Sequence, residues 1–346
     1  MHYPIIDPII VSIGPLALRW YGLTWLIGFA AVYLLGQWRI NNRPDLLNAR
    51  WDAEQLSDLV FYGAMGAVLG GRIGYAFFYG FERLAADPLY LFRIWEGGMS
   101  FHGGFLGVLV AMVIFGRRYD KDFLTVTDFL APLCPIGLGS VRIGNFINME
   151  LPGRVTESSF GLVFQCQAVR ELNPMCFGAW ENVARHPSSL YQAATEGALL
   201  FVLLWWLSMK PRGKGVLSGA FLLGYGCFRF STEFLRSPDA HIGFVLFEFI
   251  SMGQLLSMPM IIAGIWLLYW AGTNAGKGAN AGNGAKTASS AQATKISSPR
   301  RVNTRHIAPC SADRRCASRV RSGSTRAQPR LWCGISGRRN AARIHQ

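Results

Sequence analysis

The sequence predicts an all-α polytopic membrane protein of seven transmembrane helices, with a small outer cap between helices 4 and 5. Three observations carry that expectation. Of the 346 residues, 51% are hydrophobic and only 16% are charged. The apolar residues gather in seven windows of roughly 20, the length that crosses about 30 Å of hydrocarbon. Between the windows, loops rich in Lys and Arg alternate with loops that are mixed or acidic.

The windows are Leu16–Trp38, Leu56–Tyr79, Met99–Phe115, Phe123–Phe146, Leu190–Met209, Gly215–Leu235 and Phe249–Trp270. The first follows Gly14-Pro15, and Trp20 and Tyr21 fit an interfacial aromatic belt. In the second, Gly63, Gly66, Gly70, Gly71 and Gly74 form a small-xxx-small face suited to close helix packing. Arg72 lies among them and needs an anionic partner or a path to the interface. The third is short and opens on Ser100-Phe-His-Gly-Gly-Phe-Leu-Gly107, where glycines leave room for a ligand beside His102. The fourth runs on into Gly139-Ser-Val-Arg-Ile-Gly-Asn-Phe-Ile-Asn-Met-Glu-Leu-Pro-Gly-Arg154. Pro187, Ser188 and Ser189 read as caps for the fifth, which leaves Arg185 and His186 unexplained by capping. The sixth closes with Tyr225-Gly-Cys-Phe-Arg-Phe-Ser-Thr-Glu-Phe-Leu-Arg236.

Arg39, Arg43 and Arg50 follow span one, Arg117, Arg118 and Lys121 follow span three, and Lys210, Arg212 and Lys214 follow span five. These basic loops belong inside, so the N-terminus is expected outside and the C-terminus inside. Met1-His-Tyr-Pro-Ile-Ile-Asp7 lacks the basic segment that opens a cleavable signal peptide. Residues 149–187 form an outer loop long enough to fold as a cap, in which Cys166 and Cys176 are candidates for pairing in an oxidising compartment. Residues 1–270 form the membrane body. Residues 271–346 read as a disordered basic cytoplasmic tail, apolar-poor and holding 15 Lys and Arg against Asp313 alone. That tail accounts for the whole net charge of +14. The body is neutral, which argues against nucleic acid as a partner.

Arg142, Asn145 and Asn148 recur every three residues and share one face of the fourth helix. A charge at that depth costs roughly 3 kcal/mol or more, so the stripe faces a polar cavity or the protein interior. Tyr225, Arg229, Glu233 and Arg236 share a face of the sixth helix. An i,i+4 pair of Arg229 with Glu233 accounts for one cation and leaves a second uncompensated. Arginine forks match phosphate oxygens, and an anionic headgroup is the natural counter-charge. His102, near the outer interface, is suited to taking a proton from a thiol or hydroxyl. No phosphate loop, dinucleotide fold signature, HExxH, Cys/His cluster or GxSxG elbow is present, so nucleotide, metal and serine-hydrolase chemistries lose support. The residues alone leave a lipid-headgroup transferase or a lipid-binding protein, with a lipid transporter and an ion-paired structural protein as competitors.

Residues 139–154, Met99-Ser-Phe-His-Gly-Gly104, Arg185-His-Pro-Ser188, the stretch 224–239 and Ile250-Ser-Met-Gly-Gln254 resemble bacterial prolipoprotein diacylglyceryl transferases, over about Asp7–Trp270. The resemblance implies transfer of the sn-1,2-diacylglyceryl group from phosphatidylglycerol to the lipobox cysteine of a prolipoprotein. The product is a thioether, glycerol 1-phosphate leaves, and no cofactor or metal takes part. It also implies a periplasmic N-terminus and a multi-pass location in the bacterial inner membrane. His102, Arg142 and Arg229 match the family's catalytic positions. Tyr21, Asn145, Asn148, Glu150, Gly153, Tyr225, Glu233 and Arg236 are the expected substrate-binding residues. Whether His102 is the base or only orients the headgroup is left open by the pattern.

Overall fold

A computed structural model describes residues 1–14, 16–164, 183–237, 244–246 and 250–296. Its helices are α1 Trp20–Asn42, α2 Ala53–Phe78, α3 Phe81–Ala86, α4 Phe101–Arg118, α5 Phe123–Leu130, α6 Cys134–Ile147, α7 Ser188–Ser208, α8 Val216–Thr232 and α9 Met252–Ile296. Local signals set their starts. Asp52, Ser100 and Asp122 cap α2, α4 and α5 by accepting the backbone N–H of Gln55, Gly103 and Thr125. Ser251 and Gln254 form a reciprocal capping box at the start of α9, each side chain accepting the other residue's N–H.

The fold is mostly helical and multi-pass. By length and apolarity, Trp20–Asn42, Phe101–Arg118, Ser188–Ser208 and Met252–Asn274 can each cross a membrane. The pair α5 and α6, expected as one straight span, bends by 56°. Pro132 lies in the break and Pro135 in the first turn of α6, where their rings and missing N–H groups interrupt a continuous helix. The expected spans two and six form as α2 and α8 but fall short of that test. Glu54, Asp58 and Arg72 punctuate α2, and α8 has 17 residues.

Three small two-stranded antiparallel sheets qualify the all-α expectation: β1 Ile9–Ile13 with β2 Leu16–Arg19, β3 Leu162–Val163 with β4 Ala184–Arg185, and β5 Phe244–Leu246 with β6 Ile250–Ser251. Ile-Ile-Val-Ser-Ile favours a strand, and its pairing with Leu16–Arg19 delays the first helix to Trp20. At the other end, α9 continues past Trp270 to Ile296, so the first part of the expected disordered tail is helical. The span supplies a nucleus on which the helix propagates, although Gly272, Gly276, Gly278, Gly282 and Gly284 each disfavour it by about 1 kcal/mol. Compact units divide at Ser289/Ser290, and residues 290–296 are the described part of the second. Cys166, Cys176 and residues 297–346 lie outside the described residues.

Burial runs opposite to that of a water-soluble protein. Leu26, Leu34, Phe61, Leu106, Trp206 and Ile262 are exposed, while Arg39, Arg72, Asp128, Gln192, Glu196 and Glu233 are buried. Hydrocarbon gives apolar helix faces no reason to associate, so small residues and polar pairs hold the interior together. Gly66, Gly70 and Gly74 of α2 meet Gly103 and Gly107 of α4 as the glycine face predicts. Arg72 finds carbonyls rather than an anion. It donates to the backbone oxygens of Tyr90, Leu91, Gly97 and Gly98 and stacks 4.5 Å from the Tyr90 ring centroid.

A Cβ at Gly107 would fall 2.0 Å from the Gly66 carbonyl oxygen, whereas one at Gly63 meets nothing within 4 Å. Gly107→Ala should therefore destabilise the protein by about 1–3 kcal/mol, read as a lower thermal midpoint in detergent, and Gly63→Ala should leave it unchanged.

Candidate active site

The site assembles where glycines let helices touch. Gly28 of α1 approaches Gly137 of α6, and Gly139 of α6 approaches Gly197 of α7, each at about van der Waals contact or closer for an added Cβ. The second crossing sets the key contact. Arg142 lies one turn beyond Gly139, and Glu196 immediately precedes Gly197. At that crossing Arg142 Nη2 is 3.3 Å from Glu196 Oε2. Arg229, from α8, is 3.9 Å from the other carboxylate oxygen, and the Thr232 hydroxyl donates to that same oxygen at 3.3 Å. Tyr225, one turn before Arg229, is in side-chain contact with Arg142. Glu196 is entirely buried, while the Arg142 and Arg229 side chains keep 20% and 14% of their exposure.

Glu196 is the counter-charge that sequence reasoning missed, and it lowers the cationic excess without removing it, since Arg142, Arg229 and Arg236 share Glu196 and Glu233. The available signal was a lone carboxylate within the apolar fifth window, a position a membrane helix rarely tolerates without a partner. Local backbone helps to aim it. Ala193–Leu199 is a π turn within α7, and Gln192, one turn before Glu196, is wholly buried with neither amide atom hydrogen-bonded among the described residues.

The expected Arg229–Glu233 pair forms at 3.2 Å, and Glu233 also faces Arg236 at 3.6 Å. A Cβ on Gly253, in the first turn of α9, would fall 2.7 Å from the Glu233 carboxylate carbon. That carboxylate therefore sits against a helix N-terminus, where the aligned peptide dipoles favour negative charge. Gly253 had no role in the sequence reading, although it lies inside the Ile250–Gln254 motif.

A third group follows the end of α6. Glu150 accepts from Asn145 at 2.6 Å and from Asn148 at 3.2 Å. Its neighbours Met149 and Leu151 both have left-handed backbone, φ 54° and 59°, which bulky residues rarely adopt. The turn is held by Glu150 N–H to the Asn145 carbonyl and by the Ser188 and Ser189 hydroxyls, which donate to the Leu151 and Glu150 carbonyls. Tyr21 packs on Gly144, and Gly153 is wedged between the His186 and Leu235 carbonyls, where a Cβ would fall 2.2 Å from the former. Above this turn, residues 153–156 bond to Leu235, Ala184 and His186 and begin the described part of the cap. Tyr3 closes it, stacked 5.1 Å from Phe164 with its hydroxyl on the Phe146 carbonyl at 2.5 Å.

His102 stands apart. It is exposed near the N-terminus of α4, edge-on to Phe101, and among the described residues no hydrogen bond or ion pair joins it to the arginines. Thus Arg142, Arg229, Tyr225, Glu233 and Arg236 form one connected group, Asn145, Asn148 and Glu150 a second beside it on α6, and Tyr21 and Gly153 border the second.

Glu196→Gln should cost about 3–5 kcal/mol, because it strips a buried carboxylate from two partly buried guanidinium groups; thermal unfolding measures it. Gln192→Met removes an amide with no partner and should leave that midpoint unchanged or higher.

Comparison with known proteins converges on one description. Residues 8–270 match the family model for prolipoprotein diacylglyceryl transferase. Phosphatidylglycerol–prolipoprotein diacylglyceryl transferases are similar to this chain at 52% identity in Chromohalobacter salexigens, 55% in Pseudoalteromonas atlantica and 48% in Legionella pneumophila. Each match covers 78% of this chain and, in that order, 94%, 90% and 99% of the relative.

Proposed function

We propose that this chain, which belongs to the prolipoprotein diacylglyceryl transferase family, grips the phosphate of phosphatidylglycerol with Arg142 and Arg229. It is a multi-pass membrane transferase that moves the diacylglyceryl group from phosphatidylglycerol to a prolipoprotein cysteine. The observation that carries the phosphate clamp is the sharing of one wholly buried carboxylate, Glu196, by both arginines. Glu196 fixes two guanidinium groups at one place before substrate arrives, and among the described residues Arg229 Nη1 makes no hydrogen bond.

The acceptor is the lipobox thiol. Its proton passes to His102, the thiolate sulfur attacks C3 of the glyceryl group, and the S–C bond forms as the C–O bond to phosphate breaks. The electron pair leaves on the phosphate oxygen, and glycerol 1-phosphate departs. The phosphate goes from one negative charge to two along this path, so cations positioned beforehand stabilise the transition state more than the ground state. Glu233 steadies Arg229 and Arg236, Tyr225 steadies Arg142, and Asn145, Asn148 and Glu150 offer polar partners to the glycerol hydroxyls. Tyr21 and Gly153 shape the walls beside them. The exposed place of His102 suits a base that meets the peptide at the edge of the bundle; in the alternative, His102 orients the headgroup and another base acts.

The topology belongs to the same reading. Residues 1–270 are the catalytic body, α2 and α8 complete seven crossings of the bacterial inner membrane, the N-terminus and cap are periplasmic, and residues 271–346 are cytoplasmic. The basic stretches at Arg117, Arg118 and Lys121 and at Arg212 and Lys214 support that sidedness.

The test is transfer of radiolabelled glyceryl lipid from phosphatidylglycerol to a lipobox peptide. Arg142→Ala should lower turnover about 10²–10³-fold. His102→Gln should be most impaired near pH 7 and recover toward pH 9, where a free thiol of pKa near 8.5 ionises unaided. Near-normal turnover of His102→Gln at pH 7 would remove the base assignment and leave the arginine clamp standing.

A further inference from the structure

We propose that Gln192 is a further substrate-binding residue, which reads the free hydroxyls of the phosphatidylglycerol headgroup beside the phosphate clamp. The inference rests on the clamp read above at Arg142 and Arg229. Gln192 is wholly buried, and among the described residues neither its amide oxygen nor its amide nitrogen makes a hydrogen bond. Buried amides with both halves unmet are rare, because each half loses its bond to water and gains none. Two atoms of the same site share the shortage. Asn145 Oδ1 and Arg229 Nη1 are also buried without a hydrogen bond among the described residues.

The position of Gln192 follows from its neighbours. Ser189, Gln192 and Glu196 lie at i, i+3 and i+7 on α7 and share one face. The Ser189 hydroxyl donates to the Glu150 carbonyl at 3.1 Å, and Glu196 pairs with Arg142 at 3.3 Å. On α6, Asn145 lies one turn beyond Arg142 and donates to the Glu150 carboxylate. Gln192 therefore stands where the arginine group meets the group of Asn145 and Glu150. It is one helical turn, roughly 5.4 Å, from the level of the clamp toward the cap. A headgroup glycerol covers such a distance from its own phosphate.

Of the two glycerols in phosphatidylglycerol, one carries the acyl chains and only the headgroup glycerol carries hydroxyls. Each hydroxyl both donates and accepts. The Gln192 amide offers one group of each kind, Asn145 Oδ1 accepts and Arg229 Nη1 donates, so the unmet atoms complement a diol. An ammonium headgroup only donates; it would leave the Gln192 nitrogen unmet and set another cation beside Arg142. The Arg142 and Arg229 side chains keep 20% and 14% of their exposure, so a headgroup enters past them. No hydrogen bond among the described residues holds the Gln192 amide, and it turns toward a hydroxyl without breaking one.

The test uses full-length wild type, Gln192→Met and Arg142→Ala with a lipobox peptide and two acyl-labelled lipids in mixed micelles. One lipid is phosphatidylglycerol. The other is phosphatidylpropanol, which keeps the phosphodiester and lacks both headgroup hydroxyls. The readout is the ratio of kcat/KM for the two lipids. Wild type should prefer phosphatidylglycerol by about 100-fold or more, since a site built around a hydroxyl rejects the analogue without it. Gln192→Met should lower that preference about tenfold or more, through loss of phosphatidylglycerol turnover. Both lipids are measured on one preparation, so the ratio does not depend on how much of the variant folds. Arg142→Ala should slow both lipids and keep the preference. An unchanged preference in Gln192→Met, whatever its absolute rate, would overturn the assignment and leave the clamp standing. So would a wild type indifferent to the hydroxyls. Transfer from neither lipid by wild type would instead remove the transferase reading and this inference with it. Should Gln192→Met not purify, Gln192→Leu serves with the same readings.

Discussion

A single carboxylate buried among apolar helices organises this molecule. Glu196 has no exposure, and an isolated carboxylate there would not remain ionised. Arg142 from α6 and Arg229 from α8 meet it from two sides, so three helices converge on one charge. Each ion in the group is the others' reason for being tolerated. The glycine contact between Gly139 and Gly197 brings the backbones close enough for the pairing, and the π turn at Ala193–Leu199 directs it. Packing and electrostatics are therefore one constraint, because helices in hydrocarbon gain nothing from apolar contact alone.

The same device recurs where α8 begins and where it ends. At its start, Asp128 accepts the first free N–H groups of α8. At its end, Glu233 pairs with Arg229 and faces the first turn of α9 at Gly253. At the start of α8 the carboxylate satisfies free N–H groups, and at its end the carboxylate lies against the positive end of the α9 dipole. These anchors fix the position of α8 and, with it, the distance of Arg229 from Arg142. Catalysis by preorganised cations depends on that distance being set before the substrate binds.

Much of the arrangement was legible in the chain. Apart from the extension of α9 past Trp270 and the break between α5 and α6, the apolar windows located the helices to within a few residues, since hydrocarbon thickness dictates their length. The glycine face of α2 announced its contact with α4. The spacing of Arg229 and Glu233 announced their pair, because residues four apart must be neighbours on a helix. The break at Pro132 and Pro135 could also have been read, as the prolines are visible; the continuous hydrophobicity across them masked it. Glu196 was harder. It stood out as a charge in an apolar window, but its partners lie 54 and 33 positions away in sequence, on other helices.

The sequence by itself determined which segments are helical, that the body is membrane-embedded, and which family the chain resembles. These properties depend on local periodicity, composition and short motifs. Only the tertiary structure decided which charges neutralise one another: Arg142 and Arg229 through Glu196, Arg72 through backbone carbonyls, and Asp128 through the start of α8. Among the described residues it also left Arg39 Nη1 without a hydrogen-bond partner and His102 outside the arginine cluster. Charge compensation is a property of distance in space, and distances between helices arise only when side chains from separate segments pack.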